Sequence, residues 1–233
     1  SGLAIGGETS PGTEVGNTEL WNGTSWTEQN DLSSVRLALA GAGTATAGLA
    51  FGGANPPSDE LALTEEWTGA GVAIGAWSTG GNLNTGRNNL AGTGTYTAAL
   101  AVSGEVPGSG NVAVVEQYNG SNWTEIADVN TARQHLDGTG TITSSLVFGG
   151  YSTTITGDTE SWNGSAWTEV NNLNTARRLG GAAGTDNTSA LMFGGFDPPN
   201  NKTETESWNG TNWTEVNDLN NAVRDNEGAG MVT

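Results

Sequence analysis

Six of the seven basic residues are arginines, and Arg36, Arg87, Arg133, the pair Arg177 and Arg178, and Arg224 stand at or next to one position of an internal repeat. Guanidinium groups present planar, paired donors, so a circle of them suits an anion or a carboxyl sugar. Arg36, Arg87, Arg133, Arg177 and Arg224 are therefore the candidate ligand-binding residues, expected as a ring on one rim. The same groups also suit structural ties between repeats. Asp31, Asp128 and Asp218, five or six residues upstream, are the expected carboxylate partners in that case.

Carboxylates recur as well: Glu19, Glu116, Glu160 and Glu206 on one segment, Glu28, Glu125, Glu169 and Glu215 on the next. Facing carboxylates can hold Ca²⁺ or shift one another's pKa. No dense Asp-x-Asp-x-Asp loop is present, so a solvated outer face is the expectation and no metal site is assigned. His135, the lone histidine, fills a slot held elsewhere by Ala38 and Asn89, with no Ser or acid partner specific to it. The irregular stretch 69–76 carries no ionisable residue, and acid/base catalysis needs one. No catalytic residue and no cofactor are expected, and the chain reads as a non-enzyme.

Composition narrows the partners. Seven Lys plus Arg against 25 Asp plus Glu give a net charge of −18, which repels phosphate backbones and anionic lipid. Nucleic acid is therefore excluded as a partner. No segment approaches the roughly 20 apolar residues that span a bilayer, so no membrane insertion is expected. With no cysteine, disulfides and thiolate sites are absent. Protein or cell-surface glycan is the partner class left.

The positioning elements come from the repeat itself. Trp-Asn-Gly begins at positions 21, 162 and 208, each followed by a second Trp at 26, 167 and 213, and Tyr118-Asn119-Gly120 with Trp123 keeps the pattern. Trp67 and Trp77 make a fifth pair across an insertion. First aromatics recur every 44 to 51 residues, the length of a four-stranded propeller blade. Asn-Gly tolerates positive φ and marks a hairpin turn that sets the two aromatics opposite one another. Ahead of each hairpin stands an apolar strand such as Ala190–Gly195, and ahead of that a strand of small residues such as Leu179–Thr185. Crowding around an axis explains the small residues.

The expected fold is all-β: one domain, 1–233, forming a closed five-bladed β-propeller with four antiparallel strands per blade. Blade 1 combines 225–233 with 1–31, so the terminal strands share it. Blades 2 to 5 cover 37–82, 88–129, 134–173 and 178–219. Closure of this kind removes exposed strand edges.

The order of features resembles the kelch repeat: Leu173-Asn174-Thr175-Ala176-Arg177, then Phe193-Gly194-Gly195, then Trp208 and Trp213. Ala101-Val102-Ser103-Gly104 departs from the Gly-Gly ending, and Asn-Gly stands where many kelch proteins have Asp-Pro. The consensus Trp-Asn-Gly-Thr-x-Trp-Thr-Glu-Val-Asn-Asp-Leu-Asn-Thr-Ala-Arg also resembles repeat arrays in structural proteins of marine bacteriophages. That second resemblance implies a virion or extracellular setting within a larger assembly, as a tail fibre or appendage module contacting a host surface or partner. The alternative is a lectin-like propeller using variable loops at 54–60, 104–111, 151–158 and 196–202, since specificity resides in loops on rigid supports. The sequons at Asn22, Asn163 and Asn209 are explained by the turn itself.

Overall fold

The computed structural model describes residues 1–10, 12–55, 59–69, 74–226 and 228. Five antiparallel sheets follow one another as the blades of a propeller-like ring, and no helix occurs among the described residues. Among the described residues blade 1 has three strands, Gly2–Ser10, Thr13–Trp21 and Trp26–Glu28. The other four have four each. Blade 2 comprises Ala40–Thr44, Ala47–Phe51, Thr64–Thr68 and Ala76–Thr79; blade 3 comprises Ala91–Thr95, Ala98–Val102, Val115–Tyr118 and Trp123–Glu125. Blade 4 runs through Asp137–Thr141, Ser144–Phe148, Thr159–Trp162 and Trp167–Val170, and blade 5 through Gly181–Asp186, Ser189–Phe193, Thr205–Trp208 and Trp213–Glu215.

The hairpin chemistry explains the register. Trp21 faces Trp26, Tyr118 faces Trp123, Trp162 faces Trp167, and Trp208 faces Trp213 across their turns. In each turn the Asn side chain accepts backbone N–H bonds from the residues two and three further on; Asn209 Oδ1 takes Thr211 and Asn212 at 3.0 and 2.9 Å. The following Gly210 sits at φ 88°, where a Cβ would be strained. In blade 2 the insertion still brings Trp67 opposite Trp77, although residues 70–73 lie outside the described residues.

Blades stack through these aromatics. The Trp on the outer strand reaches back to the preceding blade: Trp77 Nε1 donates to Thr18 Oγ1 at 2.8 Å, Trp123 to Thr64 at 2.9 Å, and Trp213 to Thr159 at 3.1 Å. Ring contacts add to this, Phe51 with Trp123 at 4.8 Å and Phe148 with Trp213 at 4.9 Å. The wedges between blades therefore hold the cores.

The inner strands lie side by side in chain order from blade 2 to blade 5. Their small residues are a steric demand, since a Cβ on Gly92 would come within 2.5 Å of the Gly41 carbonyl oxygen of the neighbouring blade. Gly41, Gly92, Gly138, Ala182 and Gly228 line an axial cavity of about 170 Å³. Residues 227 and 229–233, most of the strand expected to complete blade 1, lie outside the described residues.

A belt of backbone hydrogen bonds runs past this cavity at one end, from the linker before blade 2 to the segment after blade 5. Asn89 N–H donates to the Ala38 carbonyl, His135 to Asn89, Leu179 to His135, and Asp225 to Leu179, at 2.8 to 3.2 Å. All five residues stand at φ between 52° and 57°. That left-handed geometry turns the N–H of Asn89, His135, Leu179 and Asp225 sideways onto the carbonyl one repeat earlier, and five non-glycine residues hold it. Ser103 does likewise at φ 59°, matching Gly52, Gly149 and Gly194 at 67°, 66° and 64°, so blade 3 keeps the common turn without its Gly-Gly.

Candidate functional site

Four of the five candidate arginines are interior. Arg36, Arg87, Arg133 and Arg177 have 0% exposure and pair with Glu65, Glu116, Glu160 and Glu206 at 3.0, 2.5, 2.8 and 2.5 Å. Their partners are the third-strand glutamates rather than Asp31, Asp128 and Asp218. Glu116, Glu160 and Glu206, expected on a solvated face, are buried instead, because that face of the strand looks onto the incoming linker. Glu28, Glu125, Glu169 and Glu215 are exposed as expected. Each buried carboxylate also gathers linker amides: Glu116 accepts from Asn84 N–H and Nδ2 at 2.7 Å and from Thr85 N–H at 3.3 Å. The set is a latch that clamps each linker to the blade it enters. Desolvation, opposed by the carboxylate, holds the Arg36 and Arg87 guanidinium groups below their ordinary pKa.

Arg224 is not the fifth member. Counting four residues on from Leu32, Leu83, Val129 and Leu173 gives the latch arginines, but four on from Leu219 gives Val223. Backbone bonds agree, since the Gly195 N–H reaches the Val223 carbonyl just as Gly150 reaches Arg177. Arg224 therefore aligns with Arg178, and its side chain is 44% exposed beside Asp225 at 3.4 Å. Glu19, the repeat counterpart of the latch glutamates, is exposed.

The variable segments gather at the belt end. Three form two-stranded ribbons, Ala54–Asn55 with Asp59–Glu60, Glu105–Val106 with Gly110–Asn111, and Phe196–Asp197 with Asn200–Asn201. The fourth is a tight loop bridging Tyr151 to Ile155. The first residue of each, Ala54, Glu105, Tyr151 and Phe196, pairs with the residue just before the belt, Leu37, Asn88, Gln134 and Arg178. The backbone repeats around the mouth while its side chains run from apolar to acidic to aromatic and basic.

On the last side the accessible cations collect. Arg178 Cζ lies 5.3 Å from the Tyr151 ring centroid and 5.7 Å from that of Phe196; Arg224 Cζ lies 4.4 Å over Phe196. Lys202 ends the same ribbon, 3.8 Å from Asp197 and 3.6 Å from Glu204. Stacking of this kind fixes a guanidinium plane while leaving its edge donors directed outward. Sequence reasoning set Tyr151 and Phe196 in the variable loops but had no means of joining them to Arg178. The surviving signal was Arg178 itself, a second arginine outside the latch slot.

His135 stands beside this cluster. Burial first, and the Arg178 charge second, push its pKa down to about 4. The imidazolium is thus favoured in the unfolded chain, so stability from this position is present above pH 6.5 and is lost as pH falls towards 4. Asn89 occupies the same slot at φ 53°, so His135→Asn keeps the backbone and removes the titration. The variant is expected to lose less melting temperature than the parent between pH 7 and pH 4.5 in thermal scans; superimposable profiles would refute this.

No group of three or more metal-ligating side chains occurs among the described residues. A scan against known protein families finds no match to the chain, and no curated protein is significantly similar to it.

Proposed function

We propose that the chain is a non-catalytic recognition module whose ligand contacts come from the variable ribbons at the belt end of a rigid propeller. One observation carries this reading: the frame repeats, with latches in four of the five blades, yet the side chains around one mouth differ from blade to blade. Framework repetition with local variation is how loops on rigid supports achieve specificity. The virion or extracellular setting, with a protein or cell-surface glycan as partner, belongs to this proposal and rests on the phage-like consensus.

We also propose a closed, kelch-type ring, in which blade 1 gains its inner strand from residues 227–233 and meets blade 5. Two unmated halves of a repeated contact support it. Trp26 is 51% exposed, whereas the Thr205 hydroxyl, in the slot that accepts from an outer-strand Trp in three other blades, is buried without a partner.

The test exchanges Phe196–Asn201 for the blade 3 ribbon 105–111 and compares both proteins on a glycan array and on intact bacterial cells. The parent is expected to bind, and the exchange to abolish binding with an unchanged melting temperature. Binding that survives the exchange would overturn the assignment of the ribbon end.

A further inference from the structure

We propose, on the recognition reading above, that the Arg178 side of the mouth is a seat for a small carboxylated sugar, a uronic acid. The argument begins with what happens to the cations of a chain carrying −18. Four of its seven basic residues are consumed in buried latches, and the other three, Arg178, Lys202 and Arg224, all stand at the blade 5 ribbon.

Within the three, Arg178 is distinct. Lys202 and Arg224 each have a neighbouring carboxylate, but no described residue forms an ion pair with Arg178 or accepts a hydrogen bond from its guanidinium. Its Nε is buried and unpartnered. A guanidinium stacked against two aromatic rings and stripped of acceptors is a preformed donor fork for an external carboxylate. Tyr151 and Phe196 are half-buried beside the guanidinium groups they carry, so ring surface and donors meet at one place, as a carboxylated pyranose would require. His135, neutral beside Arg178, supplies a ring nitrogen to a hydroxyl.

Electrostatics choose the size of the ligand. Far from the surface the acidic chain repels a polyanion, while inside the Debye length of about 8 Å Lys202 and Arg224 are offset by Asp197, Glu204 and Asp225, and Arg178 is the cation with no carboxylate partner among the described residues. A singly charged monosaccharide or chain end meets both conditions. The apolar edge at Leu37 and Ala54 offers no comparable seat.

The test titrates the intact chain with glucuronate and galacturonate, and with glucose and galactose, which lack only the carboxylate. Acetate and a hexaglutamate peptide serve as the anion-only and acidic-peptide arms, all read by calorimetry or by chemical-shift changes. The uronates are expected to bind saturably at about 1 mM, as suits a ligand of so few atoms, with the neutral sugars at least tenfold weaker. Arg178→Gln should weaken uronate binding at least tenfold, Arg178→Lys should restore part of it, and Arg224→Gln should weaken it several-fold. Because Arg178 is not in the core, melting temperature should hold; if Arg178→Gln misfolds, Arg224→Gln carries the test. Equal binding of neutral sugars, preference for acetate or hexaglutamate, or indifference to both substitutions overturns the uronate seat. Neutral-sugar binding that is lost on exchange of the Phe196–Asn201 ribbon would sink this inference and keep the recognition reading. Ligand binding elsewhere, unaffected by that exchange, would sink both.

Discussion

Replacing Arg87 with methionine is expected to cost about 3–5 kcal/mol of unfolding free energy, the range for breaking a buried ion pair from one side. Every guanidinium nitrogen of Arg87 is engaged: Nε with the Ser103 carbonyl and Nη2 with the Ala101 carbonyl, both at 2.9 Å, and Nη1 with Thr85 and Glu116. Methionine fills much of the volume and leaves the Glu116 charge buried with amide donors alone. Arg133→Met should cost less, because Arg133 already leaves Nε and Nη2 buried without partners, a penalty the substitution removes. Urea titration of the two variants measures the difference, and equal losses would show that the carboxylate, not the donor set, decides the energy. Adding Glu116→Leu to Arg87→Met should recover part of the loss, giving a coupling between the two sites. Recovery will be incomplete, since Asn84 and Thr85 lose their acceptor.

The frame was legible because each blade carries its own instructions. Asn209-Gly210 dictates a turn through a side-chain acceptor and a positive φ, and that turn sets Trp208 against Trp213 with no long-range information. The latch was not legible from neighbours along the chain. Arg87 lies 29 residues from Glu116, and Arg133 lies 27 from Glu160, so the nearby aspartates were a poor guide. The usable signal was the Glu two residues before each first aromatic, as in Glu116-Gln117-Tyr118, recurring at a nearly constant offset from the arginine. Which face of that strand meets the linker is a tertiary fact, and it turned an expected solvated carboxylate into a buried one. Arg224 misled for a simpler reason: one extra step from Leu219 moves the side chain from the latch to the mouth. The cluster of Arg178, Tyr151 and Phe196 depends on pairing between a linker and loops that do not repeat, which no periodicity reveals.

The same contrast between repeated and unrepeated surroundings sets the last expectation. Trp213→Ala should lose about 3–5 kcal/mol, as for other buried aromatic truncations. Its indole is 5% exposed, stacks on Trp208 at 5.5 Å and meets Phe148 edge-on, while Nε1 donates to Thr159. Removing it opens the wedge between blades 4 and 5 and takes from the buried Thr159 hydroxyl its donor, leaving only its bond to the Gly157 carbonyl. Trp26 holds the equivalent slot in blade 1, and its repeat partners on blade 5 are Thr205 and Phe193, counterparts of Thr159 and Phe148. If the ring closes as proposed, Trp26→Ala should cost at least about 2 kcal/mol, because the indole then becomes a wedge residue like the other four. A loss below about 0.5 kcal/mol, the scale of a surface substitution, would mean that blades 1 and 5 do not meet. Thr205→Val sharpens the comparison. In an open ring it removes an orphaned buried hydroxyl and stabilises the chain, whereas in a closed ring it deprives Trp26 of its acceptor and destabilises it.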